Sequence, residues 1–303
     1  MSQAPYKYFQ PDRVGRLANL SLLARQAVEG FIAGLHRSPH RGFSVEFTEH
    51  REYVRGDDLR HLDWVAWGRS DRYYLKQYEQ QTNLRTYILL DVSRSMAYRH
   101  GQAVTKFAYG CFLTACLSYL MARQQDMVSV TAFDEKIRFH LPCGSTPAHL
   151  DRIFRRLEAA APGGRTAIAT TFHELARRLA KKGLVIIISD LYDDPDEVFN
   201  ALQHLVYKKH QIIIFHLLDE AELDLPFRGV VRLVDMETDQ RLQVDCRYVR
   251  DAYRREMEAF RDRYRHDCAE RNIEYAATTT ATPYDRMLLD YLARRRLLMK
   301  KAR

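Results

Sequence analysis

The sequence has no apolar stretch long enough to cross a bilayer. Its longest uncharged run, Phe107 to Ala122, is too short and carries Thr114 and Ser118, so it reads as a buried helix. No secretory leader is visible, because the N-terminus "MSQAPYKYFQ" lacks an apolar core. A cytosolic location is therefore expected. Cysteine is scarce: Cys111, Cys116, Cys143, Cys246 and Cys268 are odd in number and include no C-x-x-C pair. That argues against a disulfide framework or a zinc site and for reduced core thiols. Repeats, low-complexity segments and Pro-rich linkers are missing as well. No G-x-x-x-x-G-K-[ST] phosphate loop occurs, so any ATP-driven work must come from another protein. Acids are missing from the last ten residues, where Arg294, Arg295, Arg296, Lys300, Lys301 and Arg303 sit. Taking those six from the net charge of +8 leaves +2, so the basic excess is a tail and not a domain face. Such a run reads as a solvated helix end, with nucleic-acid contact the lesser alternative.

What remains is an ordinary globular composition. The 303 residues are 46% apolar and 28% charged, enough for one large domain or two small ones. Arg13 to Arg37 has helical spacing, with Leu17, Leu20, Leu23, Val28 and Phe31 among its apolar positions. Residues 42–83 mix charges with aromatics and lack clean periodicity. From Leu84 the pattern alternates. Strands are expected at Thr86–Leu90, Met127–Phe133, Leu184–Ser189, Ile212–Leu217 and Ile273–Thr278. Helices are expected at Val104–Ala122, Pro147–Ala160, Ala167–Lys181, Asp194–Tyr207, Tyr248–Arg271 and Asp285–Leu298. This alternation predicts an α/β fold: a doubly wound, mostly parallel sheet with helices on both faces. Lys136–Leu141 fits an edge strand. "RLVDMETDQRLQVD" fits a hairpin with its turn near Thr238–Gln240. Three segments follow: 1–41 helical, 42–83 charged and aromatic, 84–303 α/β.

The first α/β strand ends in "YILLDVSRSM", where Asp91, Ser93 and Ser95 fall at alternate positions. Ligands of open α/β sheets gather at such strand ends. Alternate residues can converge on one point, and hard oxygen donors suit Mg²⁺ or Mn²⁺ in preference to zinc or copper. Taken alone, the pattern serves equally as a helix N-cap plus a turn. Thr166 lies in the Gly-rich "APGGRTAI" just before a helix, where alone it is a good N-cap. Asp190 ends the buried strand of "LVIIISDLYDD", where alone it is a loop acid. Together these residues place oxygen donors near the ends of several elements of one sheet.

The set Asp91, Ser93, Ser95, Thr166 and Asp190 resembles the metal-ion-dependent adhesion site of von Willebrand factor A domains. In that family Thr often follows Gly directly, whereas here Arg165 intervenes. The resemblance implies that Ser93, Ser95 and Thr166 bind the ion directly, with Asp91 and Asp190 acting largely through water. The expected ion is Mg²⁺, with Mn²⁺ or Ca²⁺ as alternatives. Neutral hydroxyls would leave its charge partly unquenched and an open position for a partner's carboxylate. Hydrolysis needs a positioned base and a substrate pocket, and the sequence offers no such set. His173, near Thr166, reads as a surface or packing residue.

The stretch "EFTEHREYVRGDDLRHLDWVAWGRSDRYYLKQYEQ" carries Arg51, Glu52, Tyr53, Gly56, Asp57, Asp58, Arg60, Asp63, Trp64 and Arg69. A salt-bridged collar is the simpler reading; a metal or catalytic site on Asp57, His61 and Asp63 is the sharper one. The stretch closely resembles the signature of bacterial domain-of-unknown-function family fifty-eight, R-E-Y-x-x-G-D-D-x-R-x-[IL]-D-W. Leu62 fills the usual Ile position and Gly68 replaces a frequent Ala. "SDLYDDPDEV", "FHLLDEAELDLPF" and "VDMETDQRLQVD" look like the same family. The resemblance implies a partner, a MoxR-type AAA+ ATPase or its client, and an adaptor role in chaperone-like assembly or maturation. The rivals are a metal-dependent hydrolase using the same ion and a nucleic-acid-binding protein acting through the basic tail.

Overall fold

The computed structural model describes residues 84–284 apart from 102, 103 and 180, together with 287, residues 24, 25 and 28, and the backbone of residues 50–52 and 74–76. The chain forms two compact units, Met1–Ile32 with Leu84–Arg303, and Ala33–Asn83. In the second unit, β1 (His50–Glu52) pairs antiparallel with β2 (Tyr74–Lys76). Tyr53, Gly56, Asp57, Asp58, Arg60, His61, Asp63, Trp64 and Arg69 lie outside the described residues. So do the basic tail and most of the expected Arg13–Arg37 and Asp285–Leu298 helices. Ala24 and Val28 are helical and fully buried, and the Arg25 guanidinium lies 5.9 Å from the Tyr119 ring centre.

The first unit is a six-stranded sheet. Its strands are β3 (Arg85–Asp91), β4 (Met127–Phe133), β5 (Ile137–Gly144), β6 (Leu184–Ser189), β7 (Gln211–Leu218) and β10 (Glu274–Thr279), in the order β10-β7-β6-β3-β4-β5. Every pairing is parallel except the antiparallel edge pair β4–β5. The helices are α1 (Lys106–Arg123), α2 (Pro147–Glu158), α3 (Ile168–Arg178), α4 (Pro195–Tyr207), α5 (Glu220–Asp224) and α6 (Cys246–Glu270). A hairpin of β8 (Val230–Val234) and β9 (Arg241–Asp245) precedes α6. Among the described residues, no helix is long and apolar enough to cross a membrane.

The central strands are apolar on both faces, which is why "YILL", "LVIII" and "IIIF" read as continuous runs and not as alternation. One face carries Tyr87, Leu89, Val185, Ile187, Ile212 and Ile214. They pack on Phe172 and Leu175 of α3, Phe199 and Leu202 of α4, and Tyr264 of α6, all buried. Burying each such side chain contributes about 1.5–3 kcal/mol before entropy is counted. The opposite face is covered by α1, buried nearly all round. Gly110 allows that approach: a Cβ there would lie 2.9 Å from Leu90 Cδ1 and 3.4 Å from Ile188 Cγ2.

The sheet order reverses between β3 and β6. From β3 the chain moves to β4 on one side, and β6 returns to the other. The connections therefore diverge above the carboxyl ends of these two strands and leave a crevice.

Candidate metal centre

Asp91 ends β3 and Asp190 immediately follows β6, so both stand at that crevice. Leu90 is opposite Ile188 in the ladder, which sets Asp91 beside Ser189. Asp91 continues the side of the strand carrying Tyr87 and Leu89, while Asp190 continues the α1 side with Ile186 and Ile188. The two acids accordingly find different partners.

Both carboxylates are fully buried. Asp91 Oδ1 accepts from the Ser93 N–H at 2.8 Å, and Oδ2 accepts from Ser189 Oγ at 2.6 Å. Ser189 Oγ in turn accepts from the Leu191 N–H at 2.9 Å. Burial and the Asp190 charge nonetheless raise the Asp91 carboxyl well above its ordinary range, against those hydrogen bonds. Asp190 Oδ2 accepts from Lys106 Nζ at 2.8 Å, but its Oδ1 is buried without a hydrogen-bond partner. An orphaned carboxylate oxygen in the interior costs free energy unless a water, another donor or a cation meets it.

Lys106, the first residue of α1, is itself fully buried. Its ammonium also donates to Glu222 Oε1 at 2.6 Å and lies 4.9 Å from the Tyr192 ring centre. Burial alone would lower its pKa, but the Asp190 and Glu222 carboxylates outweigh that and raise it. Glu222 is fixed by the capping box of α5, where its Oε2 accepts from the Asp219 N–H at 2.7 Å. One cation thus faces two buried or nearly buried carboxylates, Asp190 and Glu222, while Asp91 feels the Asp190 charge without a cation partner of its own among the described residues.

Ser93 and Ser95 start the turn after β3, with their Oγ atoms 3.0 Å apart. Ser93 is buried and Ser95 half-buried. The Thr166 loop is stitched to this turn by Gly163 N–H to Val92 O at 2.8 Å and Arg94 N–H to Gly164 O at 3.0 Å. Gly164 is required there. Its φ is +77°, and a Cβ would fall 2.5 Å from Asp134 Oδ2, which is paired with Arg138. Thr166 is not the N-cap of α3. That cap is Ala167, without a side-chain bond, and Asp193 Oδ2 takes the Ile168 N–H at 2.8 Å instead. Thr166 Oγ1 donates to Glu237 Oε1 at 2.5 Å, and its N–H donates to Glu237 Oε2 at 3.0 Å.

Leu191, directly after Asp190, has φ +57°. A bulky residue there stores about 1–3 kcal/mol of strain and persists only when held from several sides. Here the Ser189 hydroxyl takes its N–H, and Tyr264 Oη lies 3.3 Å from its carbonyl oxygen. His216 Nε2 lies 2.9 Å from the Asp190 carbonyl, an acceptor only, so Nε2 carries the proton and Nδ1 accepts from Tyr275 Oη. Burial pushes His216 down to about 3, so it is a neutral strut and not a base.

The donor set fits a hard divalent cation: three hydroxyls and two carboxylates, one of which, Asp190, has an unpaired oxygen. The structure brings Asp91, Ser93, Ser95 and Asp190 to one crevice and sets the Thr166 loop against it. Sequence reasoning missed Ser189, Lys106, Glu222 and Glu237. Lys106 had a signal, being a lone cation at the start of a helix that carries no other charge until Arg123. Asp219 and Glu222 had the D-x-x-E spacing of a capping box. Glu237 had none beyond its place in a turn. His173 packs edge-on against His204, 4.9 Å between ring centres. Another ligand-like group, His266, Asp267 and Glu270, lies on α6, where His266–Glu270 and Arg271–Asp267 form i,i+4 surface pairs.

Comparison with known proteins gives relatives without assigned roles. The uncharacterized protein Mb1516 of Mycobacterium bovis is 25% identical over 232 residues, 75% of this chain and 72% of its own. The uncharacterized protein Rv1480 of Mycobacterium tuberculosis gives the same figures. Among solved structures, the conserved hypothetical protein BatB from Bacteroides thetaiotaomicron aligns with a TM-score of 0.45 and 14% identity, over 70% of this chain and 98% of its own. An aerotolerance-related membrane protein from Bacteroides fragilis aligns with a TM-score of 0.43 and 16% identity, over 65% and 92%. A family model described as "Protein of unknown function DUF58" matches residues 49–263. That match covers most of the sequence and includes the crevice, and the chain belongs to the DUF58 family.

Proposed function

We propose that this chain is a non-enzymatic, metal-dependent protein-binding adaptor that works in the cytoplasm. Asp91, Ser93, Ser95, Thr166 and Asp190 would hold one Mg²⁺, with Mn²⁺ or Ca²⁺ able to substitute. When bound, the ion supplies a positive position that attracts an Asp or Glu carboxylate of a partner. The observation that carries this reading is the buried Asp91–Asp190 pair at the ends of neighbouring strands, with Asp190 Oδ1 left without a hydrogen-bond partner.

The chain's own residues divide the work. Ser189 and the Ser93 N–H hold Asp91 in place. Lys106 occupies one oxygen of Asp190 and leaves the other without a hydrogen-bond partner. Ser95 and Thr166 are half-buried, whereas Asp91, Ser93 and Asp190 are fully buried, so the outer hydroxyls mark the side from which a partner arrives. The partner class, a MoxR-type AAA+ ATPase or its client, follows from the resemblance of residues 51–69 and is part of the proposal.

The test is affinity capture of the coexpressed ATPase, with Mg²⁺ or with chelator, using wild type, Ser93→Ala and Asp190→Asn. Capture should need the metal and drop at least tenfold in both variants. Equal capture in chelator, with all three proteins folded by circular dichroism, overturns the reading.

A further inference from the structure

The turn 235–240 between β8 and β9 carries three acids, two of which reach the loops of the crevice. Asp235 Oδ1 accepts from the N–H groups of Glu237 and Thr238 at 2.7 and 2.9 Å, a local turn that presents Glu237 at its tip. Both oxygens of Glu237 engage Thr166, one through its hydroxyl and one through its N–H. Asp239 Oδ2 lies 3.1 Å from the Arg94 guanidinium, on the residue between Ser93 and Ser95. Apolar packing holds one side only of the strands behind this tip, where Val231, Leu233 and Val244 are half-buried. Val230, Val234 and Leu242 are 59%, 50% and 62% exposed. The tip itself meets the two loops that carry candidate ligands through polar contacts.

The direction of the Thr166 hydroxyl proton matters. A hydroxyl has one proton and two lone pairs. Donating that proton to Glu237 leaves the lone pairs of Oγ1 free for a cation. Glu237 thus orients Thr166 as an oxygen donor and sets its own carboxylate at the outer, half-buried side of the crevice. We propose that Glu237 is the chain's own occupant of the position assigned above to a partner's carboxylate, and that the β8–β9 hairpin is a tethered competitor which an incoming Asp or Glu must displace. This inference rests on the metal-site reading. Tethering holds the internal acid at an effective concentration in the millimolar range, so a lone free carboxylate competes poorly.

Mn²⁺ serves as the probe, followed by water-proton relaxation on the full chain. Wild type should bind Mn²⁺, and Ser93→Ala should weaken binding at least tenfold. Glu237→Gln should still bind it, with higher relaxivity of the bound ion because water takes the place of the carboxylate. Added N-acetyl-glutamate amide should lower that relaxivity in Glu237→Gln at concentrations at least tenfold below those needed in wild type. Unchanged relaxivity and equal sensitivity to the added glutamate, with Mn²⁺ still bound, overturn the tethered competitor and leave the metal site standing. Equal Mn²⁺ binding by wild type and Ser93→Ala, both folded by circular dichroism, overturns both.

Discussion

Replacing Lys106 by Met keeps most of the side-chain volume and removes the only charge on α1 before Arg123. The ammonium is fully buried, 2.8 Å from Asp190 and 2.6 Å from Glu222. Its loss strands Glu222, and Asp190 beside Asp91, without their counter-charge. Removing one partner of such a buried pair costs about 3–5 kcal/mol. At about 2–4 °C per kcal/mol for a domain of this size, the melting temperature in chelator should fall by roughly 6–20 °C. Adding Mg²⁺ should then restore more in the variant than it adds to wild type. A ligand at 100 times its Kd stabilises by about 2.7 kcal/mol, and the variant's site, one positive charge poorer, should bind the cation more tightly. Differential scanning fluorimetry with chelator and with millimolar Mg²⁺ reads both quantities for both proteins. A variant melting within about 2 °C of wild type in chelator refutes the claim that Lys106 neutralises these carboxylates. Equal Mg²⁺ increments in the two proteins refute the placement of the ion beside Asp190.

Three further outcomes are expected. Gly183→Ala places a Cβ 2.3 Å from the Arg85 carbonyl oxygen, so urea unfolding should show a loss of about 1–3 kcal/mol, and an unchanged midpoint contradicts the packing of β6 on β3. Gly164→Ala forces a left-handed residue against Asp134; it should cost about 1–2 kcal/mol and blunt the Mg²⁺ increment by moving Thr166, so a full increment at normal stability rules that out. Burial pushes the Cys111 and Cys116 thiols up, and Cys268 to about 12; Cys246 is also buried, leaving half-buried Cys143 as the fast-reacting thiol toward Ellman's reagent. Survival of the fast phase in Cys143→Ser disproves this assignment.

The α/β architecture was legible because its strands are buried on both faces. Runs such as Leu184–Ser189, followed by Asp and a turn, announce both a strand and its carboxyl end. The central position of α1 was legible from its lack of charge, and the β8–β9 hairpin from its turn residues. At the crevice, Asp91, Ser93, Ser95 and Asp190 were readable because strand ends fix their place. Thr166 was readable as a position, but not in its local role. A Thr before a helix looks like a cap, and only tertiary structure brings Asp193 to take the Ile168 N–H. Glu237 was invisible for a similar reason. An acid in an exposed turn is indistinguishable from any solvated acid until the fold sets Thr166 against it.

The parallel pairing of β3 with β6 has a mechanical consequence. The backbones carrying Asp91 and Asp190 extend from neighbouring hydrogen-bonded strands at the centre of the sheet, with helices packed over both faces. In a flexible loop, two acids in mutual repulsion would swing apart into water. Here neither backbone can give way without breaking the ladder that organises the whole unit. The electrostatic tension that Lys106 leaves unrelieved is held at the centre of the sheet, where a proton or a second cation would relieve it.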